Sequence, residues 1–218
     1  MKHIKEYNEY KDIDAICQRY GITNYTINNG LVDVDASVNL ASRKLTKLHL
    51  QFGKVTGNFF CDSNQLTSLE GAPKTVEGNF YCHNNQLTSL EYAPKTVEGN
   101  FYCHNNKLTS LEGAPEKLSG NFYCNNNQLT SLEGGPKEVG GDFYCHSNKL
   151  TSLEYAPEKL SGKFYCSFNP LPKEIYTYKD HIKEIIKWQG DYNIWRNGKL
   201  DPFRFGELIK DILEDETY

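Results

Sequence analysis

Cys61, Cys82, Cys103, Cys124, Cys145 and Cys166 stand 21 residues apart, and the residues around them recur on the same beat. The clearest copy reads Gly78-Asn79-Phe80-Tyr81-Cys82-His83-Asn84-Asn85-Gln86-Leu87-Thr88-Ser89-Leu90. A unit this short cannot bury an apolar face alone. A fixed period of this size therefore predicts a solenoid, in which each repeat stacks on the last and shares its core.

Each repeat can be read by position. Side chains two apart on a strand share a face. Phe80 and Cys82 therefore point one way, and Asn79, Tyr81 and His83 the other. The inward set is Phe-x-Cys, then Leu87 and Leu90 after a bend, with Val76 closing the core on the return path. The Asn85 position recurs as Asn64, Asn106, Asn127, Asn148 and Asn169. An amide there can satisfy backbone groups left open at the bend, which predicts a stacked asparagine ladder. The Gly78 column (Gly57, Gly99, Gly120, Gly141, Gly162) reads as a turn into the strand. Ala-Pro pairs such as Ala72-Pro73 predict an outer side without helix.

The repeat grammar divides the chain into three parts. Residues 34–172 form the solenoid. Its first rung is disguised, with Val34 to Leu40 aligning on Val76 to Cys82, and Arg43 to Leu48 aligning on Asn85 to Leu90. Residues 1–33 read as an N-terminal cap. Ile13, Ile16, Cys17 and Tyr20 share a helix face, and Asn28-Asn29-Gly30 joins two strands of a hairpin. Residues 173–218 read as a helical cap. Ile182, Ile185 and Ile186 form one stripe, and Asn197-Gly198 a turn. Asp201-Pro202 starts a final helix that runs to the acidic Glu214-Asp215-Glu216. Such caps cover the apolar ends of a solenoid. The expected fold is thus a β-rich solenoid, a right-handed coil of 21-residue rungs carrying one parallel sheet.

Composition narrows the function classes. With 38% hydrophobic residues and a mean hydropathy of −0.65, the core is lean. A net charge of −4 argues against a nucleic-acid binder, which usually shows a basic domain. No apolar run approaches the ~18 residues of a membrane span. Met1 to Glu6 lacks the apolar segment of a signal peptide. A column of buried free thiols suits a reducing compartment. These readings predict a cytoplasmic protein.

No glycine-rich phosphate loop, nucleophile elbow or helical histidine pair is present. The chain is therefore expected to be non-catalytic and to need no cofactor. His83 and His104 are neighbours in one column, and the adjacent cysteines face inward. A mixed Cys/His metal site within a strand is thereby excluded.

The outward strand face is the candidate binding site. Its central column is Phe60, Tyr81, Tyr102, Tyr123, Tyr144 and Tyr165. One flank is Asn58, Asn79, Asn100, Asn121, Asp142 and Lys163; the other is Asp62, His83, His104, Asn125, His146 and Ser167. Tyrosine offers rigid amphipathic area for contact, although a tyrosine ladder also stabilises a sheet by packing alone. The expected partner is a protein. The alternatives are a carbohydrate or nucleic acid on the same strip, or a structural, self-associating protein. Phosphate binding relies on Lys or Arg, and the strip offers only Lys163.

The pattern Phe80-x-Cys82-x-x-Asn85-x-Leu87-x-x-Leu90 resembles the leucine-rich repeat, with Phe and Cys in place of the usual strand leucines. Its short proline-bearing return is similar to repeats of bacterial effector proteins. The wording Asn-Gln-Leu-Thr-Ser-Leu-Glu-Gly-Ala-Pro is closest to repeat proteins of phage and prophage genomes. The resemblance covers about residues 34–172. The interval from Val76 to Phe80 is longer than the family spacing by one residue. The resemblance implies a non-catalytic protein-binding module, and in its sharper form a phage-encoded protein that inhibits or redirects a host defence factor.

Overall fold

In the computed structural model, which describes residues 12–215, the chain is a β-solenoid of 21-residue rungs closed at both ends by smaller elements. The start of the expected N-terminal cap, including Met1 to Glu6, lies outside the described residues, as does Glu216.

One face of the solenoid is a parallel sheet of seven strands: Val38–Asn39, Phe59–Phe60, Phe80–Tyr81, Phe101–Tyr102, Phe122–Tyr123, Phe143–Tyr144 and Phe164–Tyr165. Neighbours in the sheet are consecutive rungs, and every pair is in register, as in Phe80↔Phe101 and Tyr81↔Tyr102. The disguised first rung takes its predicted place, with Val38 opposite Phe59.

The expectation of a single parallel sheet needs correction. Thr75–Val76, Thr96–Val97 and their counterparts on the return path also pair in parallel, in a five-stranded and a three-stranded sheet that break between Val97 and Lys117. Equal rung lengths put the return segments in register as surely as the outward ones. The return segments lack the Phe-x-Cys alternation that announces the equally short outward strands.

The core lies between the two faces. Phe80, Cys82, Leu87, Leu90 and Val76 are all fully buried, and the same five positions are buried in the rungs of Cys61, Cys103 and Cys124. Phe59, Phe80, Phe101, Phe122, Phe143 and Phe164 form a continuous inner stack with ring centroids 5.1–5.7 Å apart. Burying each ring is worth about 1.5–3 kcal/mol. The predicted asparagine ladder is present. Asn85 donates from Nδ2 to the carbonyls of Cys61 and Cys82, and its Oδ1 accepts from Leu66 N–H.

The Gly78 column has a different reason from the one the sequence suggested. These glycines do not have positive φ. A Cβ at Gly99 would press on Asn79 Oδ1 and lie 2.8 Å from the Gly78 carbonyl oxygen, so glycine is needed because the preceding rung's backbone and asparagine side chain both come close there.

Both caps follow local chemistry. Residues 12–20 are helical and bury Cys17, with Ile13, Ile16 and Tyr20 packed on the core. Tyr25–Asn28 and Leu31–Val34 form the hairpin. Asn29 and Gly30 have φ of 51° and 77°, the left-handed pair of a type I′ turn. Arg43, at the ladder position of the first rung, donates to the Tyr20 and Asn39 carbonyls and so closes that end.

At the other end, the helices Lys173–Thr177, Ile182–Trp188 and Pro202–Asp215 cover the last rung, with a small hairpin of Trp195–Arg196 and Lys199–Leu200 between the last two. Asp201 caps the final helix as expected, accepting from the Phe203 and Arg204 N–H groups at 3.2 Å. No described helix is long and apolar enough to cross a membrane.

Candidate functional site

The seven-stranded sheet brings the predicted column together as one stack. From Phe60 through Tyr81, Tyr102, Tyr123 and Tyr144 to Tyr165, neighbouring ring centroids lie 4.5–4.6 Å apart and planes differ by 5–12°. The column runs ~23 Å, close to what six strands at ordinary spacing span. Its cause is the register: identical residues on consecutive rungs are superposed, and flat rings at strand spacing stack.

This stacking decides what the strip offers. Tyr81, Tyr102, Tyr123 and Tyr144 each have a ring against both faces. Solvent meets their edges and hydroxyls. A ring edge carries the positive part of the aromatic quadrupole, and the face the negative part. Sugar rings and nucleobases bind aromatics face to face, and the inner faces are already covered.

The Asn58 flank is a second ladder. Asn58, Asn79, Asn100 and Asn121 each accept, through Oδ1, from the backbone N–H of the next rung at 2.6–2.7 Å. Asp142 does the same for Lys163 at 2.7 Å. These residues, read from the sequence as contact positions, thus spend one side-chain atom on the scaffold. The other atom varies. Asn100 and Asn121 donate from Nδ2 to the Tyr102 and Tyr123 hydroxyls at 3.1 and 3.0 Å. Asp142 instead accepts from the Tyr144 hydroxyl at 2.9 Å. Burial and that hydrogen bond together push the Tyr144 phenol well above its ordinary range.

The opposite flank contains a histidine stack. His83 and His104 lie 4.5 Å apart, with planes 13° from parallel. The Nδ1 atoms of both are buried without a hydrogen-bond partner. Burial lowers the pKa of His83, against the opposing pull of Asp62, whose Oδ2 lies 3.7 Å from His83 Nε2. His104 is lowered to about 4, first by burial and then by His83. Both rings are neutral at pH 7. The tautomer that buries a lone pair in preference to an N–H group puts the proton on Nε2. His146 is also lowered by burial, and its Nδ1 pairs with Ser147 Oγ at 3.2 Å. Parallel stacked imidazoles do not converge on a point. No group of three or more His, Cys, Asp or Glu among the described residues is placed to hold a metal ion.

The thiols stay inside. Cys82, Cys103 and Cys145 are fully buried, and burial pushes their pKa far above the ordinary thiol value. Cys166, at the last rung, is raised to about 11 for the same reason. A protonated buried thiol is a poor nucleophile and a poor metal ligand.

Two features were not read from the sequence. Phe168 replaces the Ser or Asn found at the matching position of other rungs. It has a φ of 56° and is 81% exposed, an unfavourable placement for a bulky apolar residue. A cleft of about 420 Å³ also lies between the return turns at Gly134 and Tyr155 and the cap residues Ile186, Gln189 and Trp195. Its sequence signals are Gly135, which replaces the alanine of Ala114 and Ala156, and Tyr155, which stands where Gly113 and Gly134 do. Gly135 has a packing reason, since a Cβ there would meet Leu111 Cδ1 at 2.9 Å.

No protein-family model, curated protein or solved structure matches this chain.

Proposed function

We propose that this chain is a non-catalytic protein-binding module whose contact face is the tyrosine strip. The observation that carries the reading is the six-ring stack, with its inner ring faces covered and its edges and hydroxyls turned outward. Such a surface is rigid before binding, so little side-chain entropy is lost on contact. It offers hydrogen-bonding groups at intervals along a flat face, which suits a folded protein surface. The carbohydrate and nucleic-acid alternatives draw no support from this geometry, because they rely on open aromatic faces.

In the sharper form of the reading, the resemblance of the repeat wording to phage and prophage proteins suggests a bacterial host factor as the partner. The chain would act in the host cytoplasm, inhibiting or redirecting a defence protein. The test is affinity capture from nuclease-treated bacterial lysate with the wild type and Tyr102→Ala/Tyr123→Ala. A protein held by the wild type and lost by the variant supports the reading. Retention by both moves the contact to the caps, and an empty capture points to a small ligand or to self-association.

A further inference from the structure

Each inner rung of the seven-stranded sheet hands three backbone N–H groups to the next. Phe143, Cys145 and Ser147 donate to the carbonyls of Lys163, Tyr165 and Ser167 at 2.8–2.9 Å, and the earlier rungs repeat the pattern. The last rung has no successor, since Phe164–Tyr165 is the edge strand. The N–H groups of Phe164, Cys166 and Phe168 meet no acceptor among the described residues. In a parallel ladder one residue's N–H and C=O serve the same neighbour, so the Phe164 carbonyl faces the same open side. Other ends of the solenoid are closed by side chains. Arg43 donates to the Asn39 carbonyl at the first rung. Tyr176 binds the Asn169 backbone at the last bend, and Lys183 Nζ donates to the Ser161 carbonyl on the last return path at 3.1 Å. The outer strand of the last rung has no such closure among the described residues.

The side chains of that strand change with its position. Asn79, Asn100, Asn121 and Asp142 each offer Oδ1 to the backbone of the next rung. Lys163 stands at the following step, so the acceptor is replaced by an ammonium group. Tyr165 has a ring on one face only, that of Tyr144. Phe168 is 81% exposed with a φ of 56°, at a left-handed position that Asn105, Asn126 and Ser147 fill in inner rungs. A bulky residue held there is strained, and strain of this kind clusters at sites that use it.

We infer that this edge receives an extended, parallel strand of the protein partner, with an acidic residue beside Lys163 and an aromatic residue two positions later on the bare face of Tyr165. This rests on the strip being the contact face, of which Tyr165 is the last ring. Main-chain bonds to a sheet edge give affinity in such recognition, and alternate side chains give specificity. The two-residue spacing follows from the pleat, because Lys163 and Tyr165 share the outward face. A second copy of this chain does not supply the strand. Stacked in register, it would offer Ser37 and Asn39 in place of the acid and the aromatic ring. Its Asn39 carbonyl, the acceptor that Cys166 would need, is already taken by Arg43. Lysine on an edge strand also discourages indiscriminate pairing.

The test follows amide NMR signals and hydrogen exchange of the full chain with the blocked peptide Ser-Glu-Thr-Tyr-Thr-Ser. Without peptide, the Phe164, Cys166 and Phe168 amides should exchange at least about tenfold faster than those of Phe143, Cys145 and Ser147. The peptide should shift the three open amides and the Tyr165 ring signals saturably, and slow the exchange. A Lys in place of its Glu, or a methyl group on its Tyr nitrogen, which removes the bond to the Phe164 carbonyl, should each weaken binding at least about tenfold. Tyr165→Ala/Phe168→Ser, which removes the stacking face and restores the serine of the preceding rung, should weaken it likewise. Full protection of the three amides without peptide, no response to the peptide, or equal binding of either altered peptide overturns the inference. So does protection that grows with protein concentration alongside a dimer in sedimentation, which makes a second copy the occupant. The wider reading fails separately. If Tyr102→Ala/Tyr123→Ala loses a captured protein while Tyr165→Ala/Phe168→Ser keeps it, the strip is the contact face and the edge assignment is wrong.

Discussion

Asn127 Nδ2 donates to the carbonyl oxygen of Cys103, one rung back, at 3.1 Å. The same amide donates to Cys124 O at 3.1 Å in its own rung and accepts from Leu108 N–H at 3.0 Å. One buried side chain thus ties two rungs together through groups that no strand partner reaches. Asn127→Ala should cost about 1–3 kcal/mol, the penalty for leaving buried backbone groups unpaired. Gln128→Ala, exposed and next in sequence, should change stability by no more than about 0.5 kcal/mol. Urea unfolding of the two variants checks the difference.

The glycine column makes a prediction of opposite signs. Gly99→Ala drives a Cβ to within 2.8 Å of the Gly78 carbonyl oxygen and should destabilise by about 1–3 kcal/mol. Gly206 lies in the final helix, and a Cβ added there would meet nothing within 4 Å. Gly206→Ala should stabilise by about 0.5–1 kcal/mol. Shifts of the denaturation midpoint in the same direction would contradict this account of the column.

His104 sets a pH dependence. Its pKa is lowered to about 4 in the folded chain, against an ordinary value of ~6.5 when unfolded. Between those values the unfolded chain binds the proton more readily, so stability rises with pH. The contribution is complete above pH ~6.5 and is lost as the pH falls toward ~4. His83, lowered in the same direction, adds to the effect. Asn125 shows that asparagine fits this column. His104→Asn should therefore flatten the stability profile across that window, as read by thermal unfolding at several pH values. A profile unchanged by the substitution would remove His104 as its source.

The repeat made most of the fold legible, and the residues that misled share one physical reason. The Phe80 and Cys82 positions are read correctly because inward alternation has only one stable outcome, burial. The Asn85 ladder is legible because an amide recurring beside core leucines has to satisfy something. Asn79 was ambiguous. It stands on an outward face, where the same residue suits a ligand or the next rung's backbone, and only the distance to Asn100 N–H separates the two. Gly78 was ambiguous likewise, because a glycine required by a turn and one required by close rung contact look the same in sequence. The directions of the Tyr102 and Tyr144 hydroxyls were beyond the sequence, since they depend on which atom of Asn100 or Asp142 the ladder has already used.

The most direct test of the binding face compares two pairs of tyrosines. Tyr102 and Tyr123 lie in the strip, while Tyr92 and Tyr155 stand on the return turns, 54% and 55% exposed. Calorimetric titration of the captured partner against Tyr102→Ala/Tyr123→Ala and Tyr92→Ala/Tyr155→Ala, both first shown to keep the wild-type circular dichroism, separates the faces. The account predicts that the strip variant loses at least about a hundredfold in affinity, some 2.7 kcal/mol, and that the return-turn variant binds as the wild type does. Full affinity in the strip variant, with loss in the other, would contradict it.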